Sequence, residues 1–151
     1  MKSSFCTDID VSAQTNVLLV DDDQVDQEAV RRALDASTFD CSLTIASNGL
    51  EALDILRAPD GIMTMDRPLL ILLDLNMPKM NGFEFLSEIR ADPELESAVV
   101  FVLSTSRRDE DVLRSYEYRV AGFLSKDTIA ADFSLLANFL QSYANLVDFP
   151  F

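Results

Sequence analysis

Short apolar runs alternate along this chain with stretches in which apolar residues return every three or four positions. Val17-Leu18-Leu19-Val20 is the first run, and it stops at Asp21-Asp22-Asp23. Val25, Ala29, Val30, Ala33 and Leu34 then recur at helical spacing, with Asp23 standing where an N-cap belongs. Cys41 to Ile45 alternates as a strand does, and Asn48 to Leu56 reads as a helix with Leu50, Leu53 and Leu56 on one stripe. After a turn around Pro59-Asp60-Gly61, the run Pro68 to Leu73 is apolar throughout, the pattern of a central parallel strand covered on both faces. Asn81-Gly82 opens a helix from Phe83 to Arg90, which Asp92-Pro93 breaks. Ala98 to Leu103 and Val120 to Leu124 are the fourth and fifth strands, with a helix from Arg108 to Tyr118 between them. A single last helix is predicted from about Thr128 to Val147.

Five strands alternating with five helices predict an α/β fold, a doubly wound five-stranded parallel sheet of flavodoxin-like order 2-1-3-4-5. No internal repeat or low-complexity linker divides the chain. The expectation is one domain over residues 16–148, a flexible N-terminal segment over 1–15 and a short tail over 149–151.

Composition narrows the chemistry. Hydrophobic residues make up 48% of the 151, enough for one core, and the formal net charge of -14 argues against nucleic-acid binding, which needs a basic surface. There is no histidine. Ser-His-Asp catalysis, histidine-ligated zinc and a phosphohistidine on this chain are all excluded, leaving carboxylates, hydroxyls, lysine and hard metals. Cys6 and Cys41 have no metal-ligand neighbours at short spacing, and Met1 to Gln14 lacks an apolar signal core. No apolar run approaches the ~18 residues that span a bilayer, so a reduced, cytoplasmic protein is expected.

In the predicted fold, Asp21 and Asp22 end the first strand, Asp74 the third and Ser104 the fourth, while Lys126 follows the fifth. These are the carboxyl ends that meet at the crevice of such a sheet. Carboxylates crowded there repel by roughly 1 kcal/mol per pair at 4 Å in water, and about 4 at an effective dielectric near 20. A hard divalent cation relieves this, and all-oxygen ligation suits Mg²⁺. Asp74 then keeps an oxygen free to act as nucleophile. Lys126 can pair with Asp74 and with an incoming phosphoryl oxygen, and the Ser104 hydroxyl can donate to another.

The motifs Leu19-Val20-Asp21-Asp22, Leu73-Asp74-Leu75-Asn76-Met77-Pro78, Leu103-Ser104-Thr105 and Phe123-Leu124-Ser125-Lys126 resemble the response-regulator receiver family. The likeness spans Asn16 to about Val147. The stretches from Asp74 to Leu86 and from Ser104 to Val112 are similar to the small regulators paired with bacterial phytochromes. The resemblance implies that Asp74 is the phosphoacceptor, Asp22 a direct metal ligand and Asp21 the holder of a metal-bound water. It also implies that Asn76 offers its backbone carbonyl to the metal, that Ser104 is the switch hydroxyl, and that Phe123 is an aromatic that changes rotamer on phosphorylation. Lys126 would bind the phosphoryl group. Such a protein is not an enzyme in the usual sense. It accepts a phosphoryl group from a sensor histidine kinase, here of the phytochrome type, in a self-catalysed, Mg²⁺-dependent step, and signals through protein contacts.

Two positions depart from the family. Asp127 stands where a proline usually follows the lysine with a cis peptide bond; since a cis bond before a non-proline costs ~2.5–4 kcal/mol, a trans peptide, or an unusually strained loop, is expected there. This places the reach of Lys126 in question, and Asp127 or Thr128 becomes a candidate cap for the last helix. Thr105 is β-branched where a small residue is usual, which narrows access to Asp74.

The last helix carries one stripe of Phe133, Leu136, Leu140 and Tyr143 and a second group of Leu135, Phe139, Leu146 and Phe149. A second apolar face predicts a homodimer, unless a longer core absorbs it. Two other functions compete. An aspartyl-phosphate phosphohydrolase would need an acid/base carboxylate two positions after the nucleophile, where this chain has Asn76. A degenerate receiver that only binds partners would have no use for Asp21, Asp22, Asp74 and Lys126 together.

Overall fold

The computed structural model describes residues 14–61, 68–105 and 108–150. Most of the predicted N-terminal segment, with Cys6, lies outside the described residues, as do Ser106, Arg107 and Phe151. Thr15, assigned to that segment, instead begins the first strand and is buried.

The strands are β1 (Thr15–Val20), β2 (Cys41–Ala46), β3 (Leu69–Leu73), β4 (Val99–Ser104) and β5 (Gly122–Ser125). All pair in parallel, in the order β2-β1-β3-β4-β5. The helices are α1 (Gln24–Asp35), α2 (Gly49–Arg57), α3 (Gly82–Ala91), α4 (Asp109–Glu117), α5 (Lys126–Ala131) and α6 (Ser134–Leu146). Every residue of β1 and β3 is buried, because successive side chains point to opposite faces and helices cover both. Leu18, Val20, Ile71 and Leu73 pack with Phe85, Leu86 and Ile89 of α3 and with α2. Val17, Leu19, Leu70 and Leu72 face the other way, onto Val30 and Leu34 of α1 and Leu136 and Leu140 of α6.

Local chemistry fixes the helix starts. The Asp23 carboxylate accepts from the Val25 N–H at 2.8 Å, and Asn48 caps α2 by accepting from the Glu51 N–H at 2.9 Å. Asn81 and Glu84 form a reciprocal capping box at the head of α3, each bond 3.0 Å.

Four expectations need correction. The last helix is two, giving six helices among the described residues. Asp132 leaves the helical backbone (φ -160°, ψ 97°), and its carboxylate accepts from the backbone N–H and hydroxyl of Ser134 at 3.0 and 2.6 Å, which ends α5 and starts α6. Neither Asp127 nor Thr128 caps α5. That helix begins directly at Lys126, so the capping oxygen is Ser125 Oγ, which accepts from the Thr128 N–H at 3.3 Å. Leu50 is exposed, because steps of three residues drift by 60° each around a helix; the buried stripe of α2 is Ala52, Leu53 and Leu56. Phe149 does not join the outer face of the last helix. It folds back with its ring 6.0 Å edge-on to Tyr143 and packs on the core.

Among the described residues no helix is long and apolar enough to cross a membrane.

Candidate functional site

The sheet ladders run on into the site and set its carboxylates. The Asp21 N–H donates to the Ala46 carbonyl at 3.0 Å, extending the β1–β2 ladder, and the Asp74 N–H donates to the Val20 carbonyl at 2.9 Å, extending β1–β3. Both aspartates therefore sit where rigid central strands end. The α3 helix closes this region from below. The Gly82 N–H donates to the Leu75 carbonyl at 2.9 Å, and a Cβ on Gly82 would lie 2.7 Å from the Asp74 carbonyl oxygen and from Leu75 Cα. Lys79, in the same β3–α3 loop, takes a left-handed backbone with φ 67°.

Carboxylate oxygens of Asp21, Asp22 and Asp74 come within 4.8 Å of one another. Asp21 is fully buried, Asp74 nearly so and Asp22 exposed at the cleft. Asp21 Oδ1 accepts from the Asp23 N–H at 2.9 Å, whereas Oδ2 has no hydrogen-bond donor among the described residues, although Lys126 Nζ lies 3.0 Å away as an ion pair. Burial pushes the Asp21 carboxyl up to about 6, against the pull of the Asp23 N–H and Lys126, and the charge of Asp74 adds to the rise. Burial also raises Asp74, whose Oδ1 accepts from the Asn76 N–H at 3.3 Å.

Lys126 reaches the cluster without a cis peptide: none occurs among the described residues. Its Nζ lies 2.7 Å from Asp26 Oδ2, 3.0 Å from Asp21 Oδ2 and 3.4 Å from Asp74 Oδ2. Burial alone would lower this ammonium, but Asp26, Asp21 and Asp74 together push its pKa upward, so it stays charged. Asp26 was not singled out from the sequence. The available signal was its position in the first turn of the helix that follows Asp21 and Asp22.

Ser104 is buried at the end of β4, in register with Ser125. Phe123 pairs with Val102 across the β4–β5 ladder and is half-buried against the α2–α3 side of the core. Asn76 and Thr105 are exposed at the rim. A cleft of about 560 Å³ opens over the site. Its acidic end holds Asp22, Asp26 and Asp74, and its apolar wall is formed by Val30, Ile129 and Phe133.

A parallel sheet in this order, with three carboxylates and a lysine gathered at its carboxyl end, defines the class of the protein. The family model of the response regulator receiver domain matches residues 17–137, and the chain belongs to that family. It is 39% identical over 127 residues to response regulator Rcp1 of Synechocystis sp., a match spanning 84% of this chain and 86% of that protein. The solved Mn²⁺-bound form of Rcp1 is similar in structure, with a TM-score of 0.77 and 36% identity, covering 90% of this chain and 99% of that one. The phosphorylated cyanobacterial phytochrome response regulator RcpA gives a TM-score of 0.79 at 32% identity, covering 91% and 99%.

Proposed function

We propose that this protein is a two-component response regulator that accepts a phosphoryl group on Asp74. The observation that carries the reading is the approach of Lys126 Nζ to within 3.4 Å of Asp74 Oδ2, beside two further strand-end aspartates. Asp74 Oδ2 attacks phosphorus on a phosphohistidine of a partner kinase. The P–N bond breaks, and the imidazole nitrogen leaves with the electron pair and takes up a proton. Lys126 offers charge to the phosphoryl oxygens and Ser104 a hydroxyl. The protein is thus a phosphoacceptor that assists its own transfer and hydrolysis, not an enzyme acting on a separate substrate.

The site fits a hard divalent cation, Mg²⁺ being the ion expected. Its donors are all oxygen, and the buried Asp21 Oδ2 lacks a hydrogen-bond donor among the described residues. Asp22, Asp74 and the Asn76 backbone carbonyl would hold the ion, with Asp21 acting through water. A bound cation would supply neutralising charge for the phosphoryl transfer.

Phosphorylation would draw on Ser104 and bias the β4–α4 loop, with Phe123 following, a population shift driven by local charge. Similarity to the phytochrome regulator RcpA supports a phytochrome-type histidine kinase as donor. The net charge of -14 supports a protein partner over nucleic acid. A second copy docking through α6 is a further partner, supported by Leu135, Phe139 and Leu146, which are exposed along one side of that helix.

The test is intact-mass spectrometry after treatment with a small phosphodonor and Mg²⁺. A single phosphoryl adduct is expected on the wild type, absent from Asp74→Asn and from samples in EDTA. No adduct from either acetyl phosphate or phosphoramidate would leave a partner-binding module that is not phosphorylated.

A further inference from the structure

Asp26 lies outside the acidic trio, yet it makes the shortest contact to the lysine of the site. It stands in the first turn of α1, and its Oδ2 accepts a 2.7 Å hydrogen bond from Lys126 Nζ across a sequence separation of 100 residues. An ammonium carries three donors. One is committed to Asp26, and Asp21 Oδ2 receives no properly directed hydrogen bond although it lies 3.0 Å away. At 3.4 Å, Asp74 Oδ2 is beyond the ordinary range of an N–H···O bond. The lysine is therefore anchored to one side of the nucleophile rather than on it. Its other N–H groups lie in looser ion pairs with Asp21 and Asp74 and can turn to oxygens arriving next to Asp74.

Asp21 and Asp74 compete for this ammonium only while their own charges are free. Asp26 is not among the carboxylates that converge within 4.8 Å, so its charge stays available to Lys126 when those are neutralised. Val30 and Ile129, apolar residues of α1 and α5, border the same cleft and limit water around the pair.

We infer that Asp26 is a positioning residue for phosphoryl transfer to Asp74: it holds the Lys126 ammonium beside the nucleophile and keeps it from closing onto the attacking oxygen. This rests on the reading of Asp74 as phosphoacceptor. Without Asp26, Lys126 turns to Asp21 and Asp74, where it covers the nucleophile and loses its orientation toward the incoming group.

The rate of adduct formation from phosphoramidate in Mg²⁺ is measured for wild type and Asp26→Asn, each also in a Lys126→Met background. An adduct on wild type that Asp74→Asn lacks secures the functional reading first; if that fails, the reading itself fails, whatever Asp26 does. Asp26→Asn is expected to slow acceptance by roughly five- to tenfold when Lys126 is present and to change it less than about twofold when it is not, the signature of coupled residues. An unchanged or faster rate with Lys126 present, or the same loss in both backgrounds, overturns the proposal. A second readout covers the case in which Lys126→Met is too slow to follow. The Lys126 ammonium should give a slowly exchanging ¹H–¹⁵N signal in wild type that Asp26→Asn abolishes, and its persistence in the variant refutes the anchoring role.

Discussion

Gly82 and Asp74 are locked together through backbone alone: a Cβ on Gly82 would sit 2.7 Å from the Asp74 carbonyl oxygen. Neither that oxygen nor Leu75 Cα, also at 2.7 Å, can swing aside as the end of a side chain could. The first turn of α3 thus lies directly beneath the loop that presents Asp74, and the Asn81–Glu84 capping box fixes that turn in place.

Gly82→Ala must therefore push α3 and the loop apart. Overpacking of this kind costs about 1–3 kcal/mol, equivalent to a drop in Tm on the order of 5 °C. Adduct formation on Asp74 should fall as well, because the carboxylate is displaced. Thermal unfolding and intact mass check the two effects, and a variant with unaltered Tm would mean that the helix start yields freely.

Asp21 makes the metal-free protein less stable at neutral pH. Its folded carboxyl titrates at about 6, above the ordinary 3.8, so the folded state binds this proton more readily than the unfolded chain does. The contribution of this group is therefore greatest below about pH 4 and is lost as pH rises through about 6. Asp21→Asn removes the charge while nearly preserving shape. In EDTA at pH 7.5 the variant should unfold several degrees above wild type, a gain on the order of 2 kcal/mol, and the gap should shrink at pH 5. Mg²⁺ should raise the Tm of wild type more than that of the variant. Equal midpoints at pH 7.5 without metal would show that the buried charge is already compensated.

The strand ends were legible because a central parallel strand is apolar throughout, so the first polar residue after Val20 or Leu73 marks where the sheet stops. Asp21, Asp74 and Ser104 could be placed at one crevice on that basis alone. Asp26 was not legible in the same way: which side of α1 faces the cleft depends on how Val30 and Leu34 seat against the sheet. The break at Asp132 was hidden for a different reason. Apolar spacing continues across it from Ile129 to Leu136, and only the carboxylate's preference for the Ser134 N–H over the helical ladder reveals it. The trans peptide after Lys126 followed from the cost of the alternative. That the lysine would still reach the cluster did not follow, because it required α5 to begin at Lys126 itself.

Thr105 lines the cleft at its exposed rim, next to the buried Ser104. A β-branched side chain there restricts approach to Asp74, both for a phosphodonor and for the water that removes the phosphoryl group. Thr105→Ala should shorten the lifetime of the adduct severalfold and speed its formation. The checks are decay of the adduct mass after donor removal and the initial rate of its appearance; unchanged values in both remove any gating role.

The outer side of α6 leaves Leu146 84%, Leu135 48% and Phe139 41% exposed, at positions that follow one another by four and seven residues and so fall along one side of the helix. Phe139 also rests edge-on against the core ring of Phe101, 5.2 Å away, which holds the patch rigid. A second copy presenting the same patch would cover these side chains symmetrically and withdraw each from water for roughly 1.5–3 kcal/mol at full burial. Sedimentation of the wild type at high micromolar concentration should then show a dimer, and Leu135→Glu with Leu146→Glu should give a monomer whose Tm matches that of wild type diluted until it too is monomeric, since both residues are exposed on the single chain. A wild type that sediments as a monomer sinks the self-association of this face.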